Sequence, residues 1–391
     1  MDIAYHYFAV KTLAVMAGFS DDDAQIIAEN SQLVDDFDYT AYWHCTNVPD
    51  YIKDNPSYDL CVMGGFFNPV QTGFLCDGLM GYADYLYLAI ERGQRFTCTP
   101  FHFICQKKNQ INKKEYRVTS VLVNNDAIIS DMLIEARDTF RGEEVGTRQW
   151  RKALMKIGML LHIFADTVAH QMFSGFNAYV NLVELVNVKN NITGNDETEK
   201  YYTSTIKYLN QLKSWTPKVT MAIGHMMLEH IPDLTHLSFT FKYKDGNYEE
   251  QIYTRDNTTE FVEISRRILN YLRSCLNLGE VSDEEWNEIA TNLQRSFLTD
   301  ISGDSGEEAM VEHLKEVWNY PGCTYHYNSK EIKKSFTVVQ QPLDESVETN
   351  GIPVEMIPLG STQASEDFYL FNANADEVLI ELYGDHPRRL W

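Results

Sequence analysis

Three residues on one stretch of chain raise the first chemical expectation: His162, Asp166 and His170, in the run Leu161-His162-Ile163-Phe164-Ala165-Asp166-Thr167-Val168-Ala169-His170-Gln171. They stand at i, i+4 and i+8. On an α-helix each four-residue step rises about 6 Å and turns about 40°, so all three share one face. The two histidines then lie about 12 Å apart along the axis. A first-row metal binds imidazole nitrogen at about 2.0–2.1 Å, so one ion can hardly take both. Asp166, between them, has two oxygens with which to bridge, and the geometry suggests two or more adjacent ions. Gly158, one turn earlier, leaves room for a ligand from another helix. An amphipathic helix with a buried, hydrogen-bonded His–Asp pair shows the same spacing, and H-x-x-x-D is less specific than H-E-x-x-H.

Four other segments carry the same residue types. Gly224-His225-Met226-Met227-Leu228-Glu229-His230-Ile231-Pro232-Asp233 places His225 and Glu229 at i and i+4, with His230 and Asp233 close behind. Asp2 and His6 repeat that spacing near the N-terminus. Ser31-Gln32-Leu33-Val34-Asp35-Asp36 ends an otherwise apolar helix on two carboxylates, and Pro100-Phe101-His102-Phe103 holds a histidine in an aromatic, strand-like run. A histidine between two phenylalanines also reads as a satisfied core residue. Burying charge in apolar settings is expensive, and metal coordination would offset that cost in all five segments.

The order of these residues resembles the superfamily of zinc-dependent phospholipase C and single-strand-specific nuclease. More closely, Val34-Asp35-Asp36, Pro100-Phe101-His102-Phe103, the run from His162 to Gly175 and Gly224-His225 with His230 and Asp233 resemble an uncharacterised bacterial family of unknown function, over about residues 1–240. The superfamily resemblance implies a mainly α multi-helix bundle around three zinc ions. By position it implies that His6, Asp35 or Asp36, His102, His162 and Asp166 hold a buried metal pair, and that His170, His225 and Glu229 hold a third ion. Two departures stand out. His170 comes two residues earlier than the superfamily spacing. The secreted enzymes also use the amino group of an N-terminal Trp, whereas this chain begins Met1-Asp2, with Asp2 the candidate replacement.

Imidazole and carboxylate ligands suit zinc, and manganese or iron also fit. Adjacent divalent ions make hydroxide near neutral pH and clamp a phosphodiester, with Asp36 available to orient the water. The expected activity is a phosphodiester hydrolase, phospholipase C-like. The alternatives are a nuclease or nucleotide phosphodiesterase on the same cluster, and a metal-stabilised binding protein without turnover. The formal net charge of −23 disfavours long nucleic acid and anionic membrane surfaces. Bound ions would make a local positive site for a small anionic or zwitterionic substrate. The aromatic-rich region 40–100 offers a wall for acyl chains or a platform for bases, and equally ordinary core and loop packing.

The elements that must position these residues are mostly helices. The 391 residues, 44% hydrophobic and 13% aromatic, can bury a large core. Helical periodicity covers 3–17, 21–34, 78–91, 125–140, 149–182, 200–231, 259–277, 283–298 and 306–319. Phe239–Tyr243 and Gln251–Tyr253 around Asp245-Gly246-Asn247 read as a β-hairpin. Residues 1–320 are expected as the helical hydrolase domain, and 321–391, with Pro342, Pro353 and Pro358, as an appendage of mixed structure. No transmembrane span or secretory signal is apparent, and seven scattered cysteines without C-x-x-C suit a reducing cytosol.

Overall fold

Glycine and capping side chains punctuate the helices. The computed structural model describes residues 1–37, 44–61, 67–73, 90–124, 127–202, 223–245, 249–301, 303–304, 306–340 and 361–389. A π-helical stretch, Ala4–Ala9, runs into α1 (Val10–Ala17), which ends at Gly18 with a φ of 108°. Ser20 Oγ accepts from Asp23 N and starts α2 (Asp21–Asp36). Strand β1 (His44–Cys45) is followed by α3 (Ile128–Gly142), α4 (Arg148–Ala169), β2 (Glu184–Asn190), β3 (Leu237–Lys244) and β4 (Glu250–Asp256). Then come α5 (Asn257–Cys275), α6 (Asp283–Phe297), α7 (Glu307–Val317), α8 (Ser329–Ser335), β5 (Thr337–Gln340), β6 (Ser361–Ala364) and α9 (Glu366–Tyr383). Thr147, Asp256, Ser282 and Ser365 cap α4, α5, α6 and α9, each accepting the backbone N–H three residues on. The chain is mainly helical, and no described helix is long and apolar enough to cross a membrane.

The chain divides into two compact units, Met1–Gln32 with Leu88–Tyr327, and Leu33–Tyr87 with Asn328–Trp391. The expected division at 320 runs in chain order; the compact units interleave instead, with 33–87 counted alongside 328–391.

In the first unit α4 is the axis of the core. From Ala153 onward its residues are almost all buried. α3 packs along α4, and α1 along α5. At Gly158 the backbone of α2 comes so close that a Cβ would sit 2.1 Å from Ile27 O. The room that Gly158 leaves is therefore taken by helix backbone, not by a ligand side chain. An antiparallel sheet, β2-β3-β4, completes the unit.

In the second unit α9 is buried nearly all round. Asn372 Oδ1 accepts from Val70 N and Asp376 Oδ2 from Asp59 N, which ties two loop segments to α9. Phe67 and Phe336 pack on its Phe368. Its sheet pairs β1 parallel and β5 antiparallel to β6.

Several expectations need correction. The helix expected over 149–182 ends at Ala169, and the following residues form turns, with Met172 at φ 76°. The run Pro100–Phe103 is not strand-like: Thr99–Phe101 is a helical turn, entered by Pro100 where proline is tolerated. Of the helix expected over 200–231, Thr198–Tyr201 and the 3₁₀ turn Met226–Leu228 appear, while 203–222 lie outside the described residues. The hairpin pairs Ser238 with Asp256 through Lys244 with Glu250, and gains β2 as a third strand. The 321–391 region contains the eighteen-residue α9, whose all-round burial removes the periodicity that marks a surface helix. Most of the helix expected over 78–91, the hairpin residues 246–248, and the three prolines of the appendage fall outside the described residues.

Candidate metal centre

Asp166 lies in the last turn of α4, fully buried. Its Oδ1 accepts from the Met1 amino nitrogen at 2.6 Å and lies 3.1 Å from His6 Nε2. Its Oδ2 lies 3.2 Å from His102 Nδ1, 3.2 Å from His162 Nε2 and 3.4 Å from His170 Nδ1. Four imidazoles thus converge on one carboxylate. α4 supplies His162 one turn before Asp166, as i, i+4 spacing requires. The π-helical stretch presents His6, its first turn held by Asp2 Oδ1, which accepts from Ala4 N at 3.1 Å. His6 and His162 stack with ring centroids 3.8 Å apart. His6, His162 and Asp166 have one potential ligand atom each within a span of 4.8 Å.

A second group with the same compactness is His170, His225 and Asp233. His170 is the residue at which α4 stops, so its orientation comes from contacts and not from helical periodicity. His170 Nδ1 donates to His102 O at 2.7 Å, and His225 Nδ1 donates to Glu229 O at 2.6 Å. A carbonyl can only accept, so both Nδ1 atoms carry the proton. The other ring nitrogens face Asp233: His170 Nε2 lies 3.2 Å from Oδ1, and His225 Nε2 lies 3.4 Å from Oδ2. If the imidazoles are neutral, each Nε2 lone pair points at a carboxylate oxygen. An acceptor facing an acceptor needs a proton or a cation; the Met1 amine lies 3.3 Å from Asp233 Oδ1 and supplies part of that charge. Phe103 stacks on His170 at 4.4 Å, and its ring abuts Gly224. A Cβ at Gly224 would lie 2.3 Å from Phe103 Cζ, and φ there is +55°.

Burial sets the protonation states. It pushes His162 and His225 down to about 4, and holds His6 well below its ordinary value. Burial opposes ionisation of Asp166, but His170, the Met1 amine, His162 and His6 outweigh it, and the carboxyl sits well below its usual range. Asp233 behaves alike, with His225 the strongest of the groups that oppose its burial. Asp2 goes the other way: burial raises it to about 7, although the Met1 amine opposes the shift. Neutral imidazoles with ionised carboxylates are the forms that bind a metal. Among the described residues, His6 Nδ1 and Asp2 Oδ2 are buried with no hydrogen-bond partner. This donor set fits a divalent ion of the zinc type.

The structure therefore brings together His6, His102, His162, Asp166, His170 and His225 from the sequence candidates. It adds Asp233, which the sequence places close behind His225 and Glu229. Glu229 meets His225 through its backbone carbonyl, because Met226–Leu228 is a 3₁₀ turn and Glu229 has φ 47°, so helical i, i+4 stacking does not apply. His230 is exposed. Asp2 sits beside the Met1 amine and Asp233 without joining either group. Asp35 and Asp36, the last residues of α2, belong to the second unit, where Lys333 Nζ donates to Asp36 O at 3.0 Å. The superfamily resemblance pointed to an N-terminal amine and offered Asp2 in its place; here the Met1 amine itself reaches Asp166.

The model of the family of unknown function DUF6765 matches residues 1–383. No curated protein and no solved structure matches the chain. A match of that extent shows membership: this chain belongs to the DUF6765 family.

Proposed function

We propose that this chain is a metal-dependent phosphodiester hydrolase, phospholipase C-like in the order of its ligand residues. His6, His102, His162 and Asp166 would hold the inner metal, and His170, His225 and Asp233 the outer one, with zinc the best match and manganese or iron compatible. The observation that carries this reading is Asp233 faced by the Nε2 atoms of two imidazoles whose Nδ1 atoms donate to backbone carbonyls. Nδ1–H to a backbone carbonyl is also how metal-binding histidines are commonly oriented. When bound, a pair of divalent ions would supply a water acidic enough to ionise near neutral pH and a Lewis acid for the phosphoryl oxygens.

The protein's own residues do the rest. Asp166 holds both groups in register through its two oxygens. His225 and Asp233 reach solvent more than the inner residues do, so substrate approaches through the outer group. Phe103 covers one face of His170 and keeps water from it. The net charge of −23 favours small or zwitterionic diesters over long single strands.

Elemental analysis after chelator-free purification should find at least two divalent ions per chain; fewer than one overturns the reading. Bis-p-nitrophenyl phosphate should be cleaved with metal dependence, the rate rising near the pKa of metal-bound water, about 7. A second reading, a metal-stabilised binding protein, draws on the full burial of His6, His162 and Asp166. Metal-replete protein without turnover on model diesters, lipids or nucleotides would favour it.

A further inference from the structure

We infer that Arg255, together with Asn257, is a positioning residue for the outer group of ligands, an inference that rests on the metal reading above. β4 is largely open to solvent, and Arg255 is its one buried position, 2% exposed. A buried cation normally meets a carboxylate. This one meets backbone. Nη1 donates to Val168 O at 2.7 Å and to Ala169 O at 2.6 Å, and Nη2 donates to Pro232 O. Nε donates to Asn257 Oδ1 at 2.7 Å, and the guanidinium lies over Phe239, its partner in register across β3, at 4.8 Å.

The Ala169 and Pro232 carbonyls immediately precede His170 and Asp233, and Val168 lies one residue further back. One planar, rigid fork therefore sets the separation of the two backbone segments whose side chains meet at 3.2 Å. The C-terminal end of α4 is also the negative end of its dipole, which helps offset the buried charge. Asn257, fully buried, extends the clamp: its Nδ2 donates to Ile231 O at 3.0 Å and to Leu234 O at 2.8 Å, bracketing Asp233. His6, His162 and Asp166 receive no such bond from either residue. Keeping a cation buried close to a site for cations costs repulsion, so its retention is explained by the geometry it imposes.

The test measures zinc stoichiometry and affinity, by competition with a chromogenic chelator, on the full chain as wild type, Arg255→Met, Arg255→Lys and Asn257→Ala. Melting with zinc present verifies that each variant is folded. Arg255→Met should lose one ion per chain, or bind it about 10–100-fold more weakly, with the inner ion retained. Arg255→Lys should fall between Met and wild type, because an ammonium cannot span both segments. Asn257→Ala should weaken the same ion less, and decides the matter if Arg255→Met does not fold. Two ions at wild-type affinity in the folded variants overturn the positioning role and leave the metal reading intact. A wild-type protein that binds no zinc overturns both.

Discussion

The inner and outer groups meet at Asp166 but stand on different kinds of backbone. Of the inner residues, His6, His162 and Asp166 ride on helical turns with side chains 0–1% exposed, while His102, just past the turn Thr99–Phe101, is 9% exposed. His170, His225 and Asp233 sit where helix has stopped, in turns, and are 6–17% exposed. On a helix, neighbouring turns fix where a side chain points. In a turn that task falls to individual hydrogen bonds: His102 O for His170, the local Glu229 O for His225, and the Arg255 fork for the backbone beside Asp233. On the proposed metal reading, the difference predicts an inner site that is rigid and slow to exchange, and an outer site that is accessible and more easily disturbed.

The largest expected effect is at the junction. Asp166→Asn keeps the size and removes the charge that both groups share, so metal affinity should fall by at least about 100-fold at both sites. Metal stoichiometry of the folded variant checks this, and intact metal with a modest loss of stability would break the picture of a shared carboxylate. The next pair of variants separates the groups. His225→Ala should lose the outer ion and keep the inner, whereas His162→Ala should lose the inner. Timed EDTA treatment of the wild type should remove the outer ion first; simultaneous loss would erase the distinction of depth.

A smaller effect is expected from pH in the metal-free protein. His162 and His225 sit at about 4 in the folded chain against about 6.5 when unfolded. Above 6.5 neither state is protonated and stability is full. As pH falls from 6.5 to 4 the unfolded chain binds protons that the folded chain refuses, so stability declines across that window. Urea midpoints against pH should show this, and His162→Ala or His225→Ala should flatten the slope. The smallest effect is at Asp2, whose carboxyl is raised to about 7. Here stability is lost as pH rises from about 4 to 7, because the folded state holds a proton that the unfolded state releases. Metal-free Asp2→Asn should therefore be more stable than wild type at pH 8 and equal to it below pH 4. No gain at pH 8 would show that Asp2 is solvated or paired.

Legibility in the sequence followed the same divide. The caps at Ser20 and Ser282, the stop at Gly18 and the His162–Asp166 spacing are local, and a linear reading finds them. The turns after Ala169 and around Glu229 were read as helix because their apolar residues keep a near-helical rhythm. Met172 and Glu229 have positive φ, which side-chain type does not announce. Helix α9 was missed for the opposite reason: burial on every side leaves no amphipathic pattern to read.

Residue identity and spacing alone determined that this chain is mainly helical and that His6, His102, His162, Asp166, His170 and His225 are candidates for one centre, because imidazoles and carboxylates in apolar segments demand partners wherever the chain goes. The tertiary structure decided that Asp233, not the Glu229 carboxylate, faces His225, and that the Met1 amine reaches Asp166. It also recruited Arg255, remote in sequence, to hold His170 and Asp233 in place. The last two join segments far apart in the chain through a backbone amine or backbone carbonyls, groups that every residue type carries alike, and the first turns on a local backbone conformation that residue type does not announce.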